Sequence, residues 1–310
     1  MNSYQEQIEF MAANPPPDNI HEIQLTVHQF LSQHIDHRDH RIAFITSGGT
    51  SVPLERNTVR FIENFSSGKR GSASAEYFIR CGYIVIFLYR KSSLQPFQRH
   101  WRSLNFLDSL ECHCNSDNEA VITVNNPKLL TSLQCYQQAR SQGKLLVIDY
   151  TTLFDYLHLL HAITKELKVF HSRALVYLAA AVSDFYLPLE RMTEHKIQSA
   201  NEKLTIQLEA VPKMLKVLID EWISNAYIVS FKLETDQKIL IEKAQRSLQK
   251  YSHQLVIANL LQSRETRVVM VTLAGQEVIE MSNDEIESDK EIEEKIISYI
   301  VMKHQHYVSL

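Results

Sequence analysis

The stretch RIAFITSGGT, residues 41–50, decides the fold class. It is a short apolar run that ends in a serine and two glycines. Such a run is typical of a buried strand followed by a tight turn, because glycine allows the backbone to bend sharply. The chain has only seven glycines, and four of them lie between residues 48 and 71. This concentration indicates that the backbone there turns tightly or closely approaches another group.

The segments that follow this stretch alternate between apolar runs and helical patterns. Further buried strands are predicted at YIVIFLYR, LLVIDY, ALVYLAAAV, LTIQLEA, YIVSFKLE and QLVIANLL, and a hairpin at VVMVTLAGQEVIEM with its turn near Ala274 and Gly275. Continuous apolar strands separated by helices are typical of a parallel sheet covered on both faces. We therefore predict an α/β fold: a Rossmann-like, doubly wound, mostly parallel sheet with helices on both faces and an added β-hairpin.

The same patterns predict how the chain is organised. Residues 18–35 carry apolar side chains at helical spacing, which indicates an N-terminal helical extension over residues 1–40. Residues 41–310 are then predicted to form a single α/β domain. Residues 91–143 are polar and rich in turns, with a helix predicted at residues 128–143, and we interpret them as a less regular insertion over one edge of the sheet.

Composition and charge exclude some classes of protein. The chain has 310 residues, of which 45% are hydrophobic, and a net charge of -4, which gives no reason to expect a nucleic-acid partner. The longest apolar run, at residues 174–182, falls well short of the about 20 residues that span a bilayer. The N-terminus lacks the apolar core of a signal peptide. We expect a cytoplasmic protein with no membrane partner.

The four cysteines do not suggest a disulfide framework. Cys112 and Cys114 flank His113, a pattern that invites a zinc interpretation, but no second pair of ligands follows at metal-binding spacing. We predict reduced thiols there and no protein metal site.

The glycine-rich stretch NFSSGKRG, residues 64–71, can hold a phosphate. It opens the helix after the first strand, so serine hydroxyls, backbone amides and the positive end of the helix dipole can all face an anion. Lys69 and Arg70 add positive charge. The stretch matches neither the P-loop G-x-x-x-x-G-K-[ST] nor the Rossmann G-x-G-x-x-G. On its own it supports a phosphate site and a purely structural loop about equally.

Two further groups of residues are candidates for the site. Arg60 and Asn64 are four residues apart and would share a face if that stretch were helical, although a surface charge and a helix cap are the default interpretations. Three alanines and Ser183-Asp184 end a predicted strand, where Asp184 is either a ligand-binding group or an N-cap. Lys196 follows on a polar loop, where a lysine is usually solvated.

Taken together, these motifs resemble the phosphopantothenate–cysteine ligases, also called phosphopantothenoylcysteine synthetases. The resemblance is carried by SGGTSVPLERNTVRFIENFSSGKRGSASAEYF (47–78), AAAVSDFYLPLERMTEHKIQS (179–199), VSFKLETD (229–236) and VIANLL (256–261). It is closest to the stand-alone eukaryotic form and runs from about Arg41 to the C-terminal helix. Nothing resembles the flavin-dependent decarboxylase to which bacterial relatives are often fused, so no flavin is implied.

The resemblance implies a reaction. A ligase of this family joins the carboxylate of 4'-phosphopantothenate to the amine of L-cysteine in coenzyme A biosynthesis. The carboxylate is activated as an acyl-nucleotide with release of pyrophosphate, and cysteine then displaces the nucleotide monophosphate. The implied co-substrate is ATP, as in eukaryotic relatives, or CTP, as in bacterial ones, with Mg²⁺. The implied assembly is a homodimer.

The resemblance also assigns roles to residues. Nucleotide contacts are implied for Gly48, Ser66, Gly68, Gly71, Phe231 and Asn259. Binding of the pantothenate side is implied for Arg60, Asn64, Ala180, Ala181 and Asp184, with Arg60 supplied across the dimer interface and bacterial relatives using the equivalent of Asp184 against the base. Asn64 and Lys196 are implied to be catalytic, Asn64 by steadying the acyl-nucleotide and Lys196 from a flexible loop that closes over the phosphates. The sequence departs from the bacterial pattern in one respect, because no further lysines follow Lys196.

Two other functions compete with a ligase. An NADP-dependent reductase is suggested by Arg90 and Lys91, which could hold a 2'-phosphate, but it lacks support from G-x-G-x-x-G or a Tyr-x-x-x-Lys pair. A nucleotide-sensing module would keep the glycine window without needing Asn64 and Lys196 together.

Overall fold

The computed structural model describes residues 3–102, 106–198 and 203–310. Its strands are β1 (Ile42–Ser47), β2 (Ser51–Pro53), β3 (Phe61–Glu63), β4 (Ile84–Arg90), β5 (Leu110–Cys114), β6 (Ala120–Val124), β7 (Leu145–Tyr150), β8 (Ala174–Leu178), β9 (Phe185–Tyr186), β10 (Glu209–Ala210), β11 (Tyr227–Glu234), β12 (Leu255–Leu260), β13 (Arg267–Thr272) and β14 (Gly275–Glu280). Its α-helices are α1 (Ser3–Ala13), α2 (Ile20–Ser32), α3 (Lys69–Arg80), α4 (Arg99–Arg102), α5 (Pro127–Ser141), α6 (Leu153–Leu167), α7 (Met214–Val217), α8 (Gln237–Tyr251), α9 (Asn283–Glu287) and α10 (Ile292–Ser309).

The central sheet has eight strands in the order β7-β4-β1-β8-β11-β12-β13-β14. The first six are parallel to their neighbours, and β13 and β14 add an antiparallel hairpin at one edge. If the six parallel strands are numbered in chain order, their order in the sheet is 3-2-1-4-5-6. This is the order of a doubly wound dinucleotide-binding sheet. The predicted fold class is confirmed.

Successive residues of a strand point to opposite faces of the sheet, and helices cover both of these faces. In β1, Ile42 and Phe44 belong to the apolar core on the side of α2, α6 and α7, whereas Ala43 and Ile45 belong to the core on the side of α3 and α10. α8 packs on the first of these faces, at β12 and β13. Strands that are buried on both faces explain why they read as continuous apolar runs rather than alternating ones.

The N-terminal helices pack onto the sheet domain. Phe10 of α1 and Val27 and Leu31 of α2 belong to the same buried cluster as α6 and β1. α2 was expected from its helical spacing, whereas α1 was not anticipated, because its apolar positions form only a weak pattern. Residues 91–143 contain the small β5–β6 hairpin and α5, which is the crossover helix between β4 and β7. The proposed domain boundaries stay a prediction.

Two predicted strands are longer than the observed strands, and one predicted helix is π-helical in its second half. The strand expected at residues 204–210 is reduced to β10, which pairs with β9 outside the main sheet, and Leu204 is exposed. An apolar pattern forms a strand only where the fold also places a partner strand beside it, and in this segment only Glu209 and Ala210 are paired. The strand expected over residues 174–182 ends at Leu178, because the chain turns there. The helix expected over 212–222 continues beyond α7 as a π-helical turn, Leu218–Trp222.

No helix within the described ranges is long and apolar enough to cross a membrane.

Candidate active site

The site lies where β1 and β8 run side by side. The crossovers from these two strands lie on opposite faces of the sheet, so the loops beyond their carboxyl ends diverge and leave a crevice. Backbone hydrogen bonds cross this point: Ala181 N donates to Gly48 O at 2.8 Å, and Thr50 N donates to Ala181 O at 3.1 Å. The glycines after β1 and the alanines after β8 therefore form one joined floor.

The glycines allow parts of this floor to approach each other closely. A Cβ atom on Gly49 would lie 1.8 Å from Asn64 O, and one on Gly71 would lie 2.4 Å from Ser47 Oγ. Gly48 and Gly68 have left-handed backbone conformations, with φ of +86° and +82°. The first turn of α3 is thus packed directly against the end of β1, and a helix N-terminus is a favourable position for an anion.

A cavity of about 460 Å³ opens over this floor. Seven of the residues singled out from the sequence line it: Asn64, Ser66, Ala180, Ala181, Asp184, Phe231 and Asn259. Gly48, Gly68 and Gly71 lie beneath its wall and give the surrounding loops their shape. Arg60 and Lys196, which belong to the described part of the chain, lie outside the cavity lining.

Two cations at the start of α3 are already paired with carboxylates. Lys69 Nζ lies 2.8 Å from Glu265 Oε2, and Arg70 Nη1 lies 2.8 Å from Glu293 Oε1. Burial raises the pKa of Glu293, whereas the hydrogen bond from Lys69 lowers the pKa of Glu265. Sequence reasoning missed both carboxylates, since they lie about 200 residues from the glycine-rich stretch.

The buried carboxylate of Glu76 in α3 holds residues 97–100 against that helix. Glu76 accepts hydrogen bonds from Phe97 N at 2.7 Å and from Arg99 Nε at 2.7 Å. Burial raises the pKa of Glu76, but the hydrogen bonds from His100 and Arg99 outweigh it and lower that pKa to about 2. Arg99 also pairs with Glu291, next to the start of α10. The glycine-rich loop is therefore anchored to the C-terminal helix.

Two polar side chains in the cavity differ in their bonding. The carboxylate of Asp184 is exposed and lies 2.9 Å from Lys213 Nζ, so it forms an ion pair rather than an N-cap. Asn259 is buried, and its Oδ1 atom has no hydrogen-bond partner among the described residues. A buried acceptor without a partner is costly unless a ligand or water supplies a donor.

Arg60 and Lys196 lie together on a separate part of the molecule. The β2–β3 hairpin (residues 51–63) packs against residues 187–198, and we call these two segments the arm. Arg60 is not helical, so the face it was expected to share with Asn64 does not form. Its guanidinium lies 2.8 Å from the buried carboxylate of Glu55. The Lys196 side chain is exposed.

Comparison with known proteins agrees with this geometry. The sequence matches the family of the DNA/pantothenate metabolism flavoprotein C-terminal domain over residues 38–105 and 157–303. It is 42% identical to the phosphopantothenate–cysteine ligase of Homo sapiens, covering 86% of this chain and 88% of that protein, and 39% identical to the phosphopantothenate–cysteine ligase CAB2 of Saccharomyces cerevisiae, covering 98% and 87%. The chain belongs to the phosphopantothenate–cysteine ligase family.

A solved structure extends this similarity to the fold. A Cab2 mutant in complex with phosphopantothenate-cysteine superposes with a TM-score of 0.87 at 39% identity, covering 97% of this chain and 98% of that one. The family predicted from the sequence motifs is confirmed, and the reductase alternative is not favoured. Arg90, on which that alternative rested, pairs with Glu63 of the arm at 3.2 Å.

The described residues offer no metal centre of their own. They contain no group of three or more His, Cys, Asp or Glu side chains arranged to hold an ion. The cysteines are free thiols, with Cys112 and Cys114 exposed on β5.

The packing of α3 against β1 can be tested by adding one methyl group. Gly71→Ala should lower the free energy of unfolding by about 1–3 kcal/mol, because the new Cβ overlaps the Ser47 side chain. Ser47→Gly removes the overlapping atoms, so the double variant should be more stable than the sum of the two single changes predicts. Denaturant unfolding of the four proteins measures this coupling, and strictly additive effects would contradict the packing argument.

Proposed function

We propose that this protein is a phosphopantothenate–cysteine ligase of coenzyme A biosynthesis. It joins the carboxylate of 4'-phosphopantothenate to the amine of L-cysteine through an acyl-nucleotide, releasing pyrophosphate and nucleotide monophosphate. The observation that carries the proposal is the near full-length similarity to a structure that holds phosphopantothenate-cysteine. The cavity at the sheet's switch point supports it, because it joins a phosphate-binding helix start to a second, polar lining.

In this proposal the cavity has two halves. The nucleotide lies along the glycine-rich stretch, with Ser66 and the start of α3 at its phosphates and with Phe231 and Asn259 at its base. The pantothenate side lies against Asn64, Ala180, Ala181 and Asp184. The small alanine side chains at the end of β8 leave room for a ligand to approach the backbone.

Charge stabilisation is the main task of such a site. Nucleotidyl transfer builds negative charge on the attacked phosphorus, and prearranged donors stabilise that charge. The N–H groups at the start of α3 are fixed by the packing of Gly71 on Ser47. Lys69 is exposed and can exchange Glu265 for phosphate, whereas Arg70 is more deeply held by Glu293. Mg²⁺ would arrive with the nucleotide and neutralise phosphate charge.

The proposed activity is tested by pyrophosphate release. Phosphopantothenate, L-cysteine and Mg²⁺ with ATP or CTP should give turnover and phosphopantothenoylcysteine. Nucleotide binding without turnover would instead favour a sensing module, and oxidation of NADPH with a carbonyl substrate would favour a reductase. The proposal includes the use of ATP or CTP as co-substrate and a cytoplasmic location.

Asn64→Asp should abolish most of this turnover while the fold is kept. A carboxylate would replace an amide donor beside an acyl-phosphate, and losing one such donor lowers kcat by about 10²–10³. Asn118→Asp, in the exposed turn of the β5–β6 hairpin, is the matched control and should keep full activity. If the Asn64 variant stays within about threefold of wild type, far from that loss, its assigned role is wrong.

Asn259 should select the base by its amino group. Adenine and cytosine both carry an exocyclic amine that can donate to the unpartnered Oδ1, whereas hypoxanthine and uracil carry a carbonyl there. Leaving Oδ1 unpaired costs about 1–3 kcal/mol, so kcat/KM for ATP over ITP, or CTP over UTP, should differ by about 5- to 150-fold. Asn259→Leu should remove that preference, and an undiminished preference in the variant would refute the assignment.

We propose that the enzyme is a homodimer in which Arg60 serves the neighbouring subunit. Arg60 lies outside the cavity of its own chain, on the arm. Apolar side chains are exposed on and next to the arm, including Val59, Phe61 and Phe65, the last of which is 90% exposed. An exposed apolar patch of this kind marks an interaction surface, and a second copy of the chain would cover it.

Mixing inactive variants tests the shared site. Arg60→Ala chains and Asn64→Asp chains should each be inactive alone, but a hybrid dimer would combine an intact cavity with an intact arginine. Exchange of subunits should therefore restore activity at one of its two sites. Differently tagged chains show whether hybrids form, and hybrids without activity would contradict the assignment of Arg60 to the neighbour.

A further inference from the structure

The Glu55 carboxylate is the most completely buried charge on the arm. Its side chain has no exposed surface. It accepts hydrogen bonds from Val59 N at 3.1 Å and Arg60 N at 2.8 Å, and from Arg60 Nη1 at 2.8 Å. It also accepts one from Ile197 N at 3.2 Å. Burial alone would raise the pKa of Glu55, but these bonds lower it to about 2, so the carboxylate stays charged.

These four bonds join two segments that are far apart in sequence. Val59 and Arg60 belong to the β2–β3 hairpin, whereas Ile197 follows directly after Lys196. Glu55 therefore holds the hairpin at Arg60 through three bonds, and it holds the backbone next to Lys196 through the bond from Ile197 N.

Backbone bonds and apolar packing reinforce the same junction. Arg56 N donates to Thr193 O at 2.9 Å, and Asn57 N donates to Glu194 O at 3.0 Å. Leu54 packs against Leu187 and Met192 in a small buried cluster of its own. Backbone contacts on both sides of Lys196 thus hold its loop to the hairpin.

This arrangement limits how Lys196 can reach a substrate. A lysine on a free loop could swing over the cavity independently of Arg60. Here the backbone at Lys196 cannot move away from the hairpin without breaking the hydrogen bond from Ile197 N to the buried carboxylate, and the loss of a hydrogen bond to a buried charged group is costly. A movement of the whole arm keeps all of these bonds.

We propose that Glu55 is a positioning residue that joins Arg60 and Lys196 into one unit, so that both cations of a chain serve the same cavity. The inference rests on the proposed ligase function and deepens it. If Arg60 serves the neighbouring subunit, Lys196 of that chain serves it too.

Hybrid dimers test the shared destination. Arg60→Ala and Lys196→Gln chains carry their defects on the same unit, so their mixture should stay inactive. Each of these variants mixed with Asn64→Asp should behave like the other, and both mixtures should regain activity if the arm serves the neighbour. Activity in the Arg60→Ala and Lys196→Gln mixture, or a different outcome for the two Asn64→Asp mixtures, would overturn the proposal.

The role of Glu55 is tested by Glu55→Gln, with Glu190→Gln as the matched control because Glu190 is an exposed carboxylate on the same arm. Glu55→Gln should lower kcat by about 10- to 100-fold, since small misplacements of catalytic groups have effects of this size. The nucleotide Kd should be unchanged, because the proposed nucleotide contacts belong to the cavity and not to the arm. The control should match wild type in both.

Limited trypsin digestion of the ligand-free protein gives a readout that does not depend on activity. Cleavage after Arg60 and Lys196 should become faster in Glu55→Gln but not in Glu190→Gln. If Glu55→Gln does not fold, Ile197→Pro removes the N–H donor to Glu55 together with the Ile197 side chain, and Ile197→Ala controls for the loss of the side chain. Only the proline variant should lower kcat as Lys196→Gln does. Unchanged cleavage and kcat in a folded variant would overturn the role of Glu55, whereas an inactive wild type would instead reject the ligase function.

Discussion

The reversal of strand order between β1 and β8 is the constraint on which the site depends. From β1 the chain crosses one face of the sheet through α3, and from β8 it crosses the other face through α7. The two loops beyond these strands are drawn apart, and backbone that would otherwise be covered lines a crevice. Gly48 and Gly49 let the neighbouring loops pack closely around that crevice, and the alanines after β8 keep its floor free of side-chain bulk.

Ion pairs connect the start of the C-terminal helix to the glycine-rich loop and to the helix that follows it. Arg70 pairs with Glu293 at the start of α10, and Arg99 joins Glu76 of α3 to Glu291 beside α10. Removing one partner of such a pair leaves a buried charge unpaired, which costs about 3–5 kcal/mol. The last helix of the chain therefore matters to the site although most of its length is distant from it.

The fold could be predicted from local signals, but much of the site could not. α6 and α8 are preceded by Thr152 and Asp236, whose side chains cap these helices as their residue types suggest. The cavity residues were identified by family resemblance, since composition and spacing left Asn64 and Asp184 with ordinary structural interpretations. The partners Glu265 and Glu293 carry no local signal, because only the tertiary fold brings them to the glycine-rich loop.

The buried charge of the arm is satisfied within the arm, although the arm is attached to the floor through Val52 and the Glu63–Arg90 pair. The floor is held by sheet hydrogen bonds and by helix packing, so donors that must be fixed before reaction belong there. The arm satisfies its buried carboxylate entirely with its own N–H groups and with Arg60. Because no hydrogen bond of Glu55 within the described residues crosses to the floor, displacement of the arm as a unit keeps that charge paired with its partners. Groups that act only when the site closes can therefore be carried on the arm without weakening the floor.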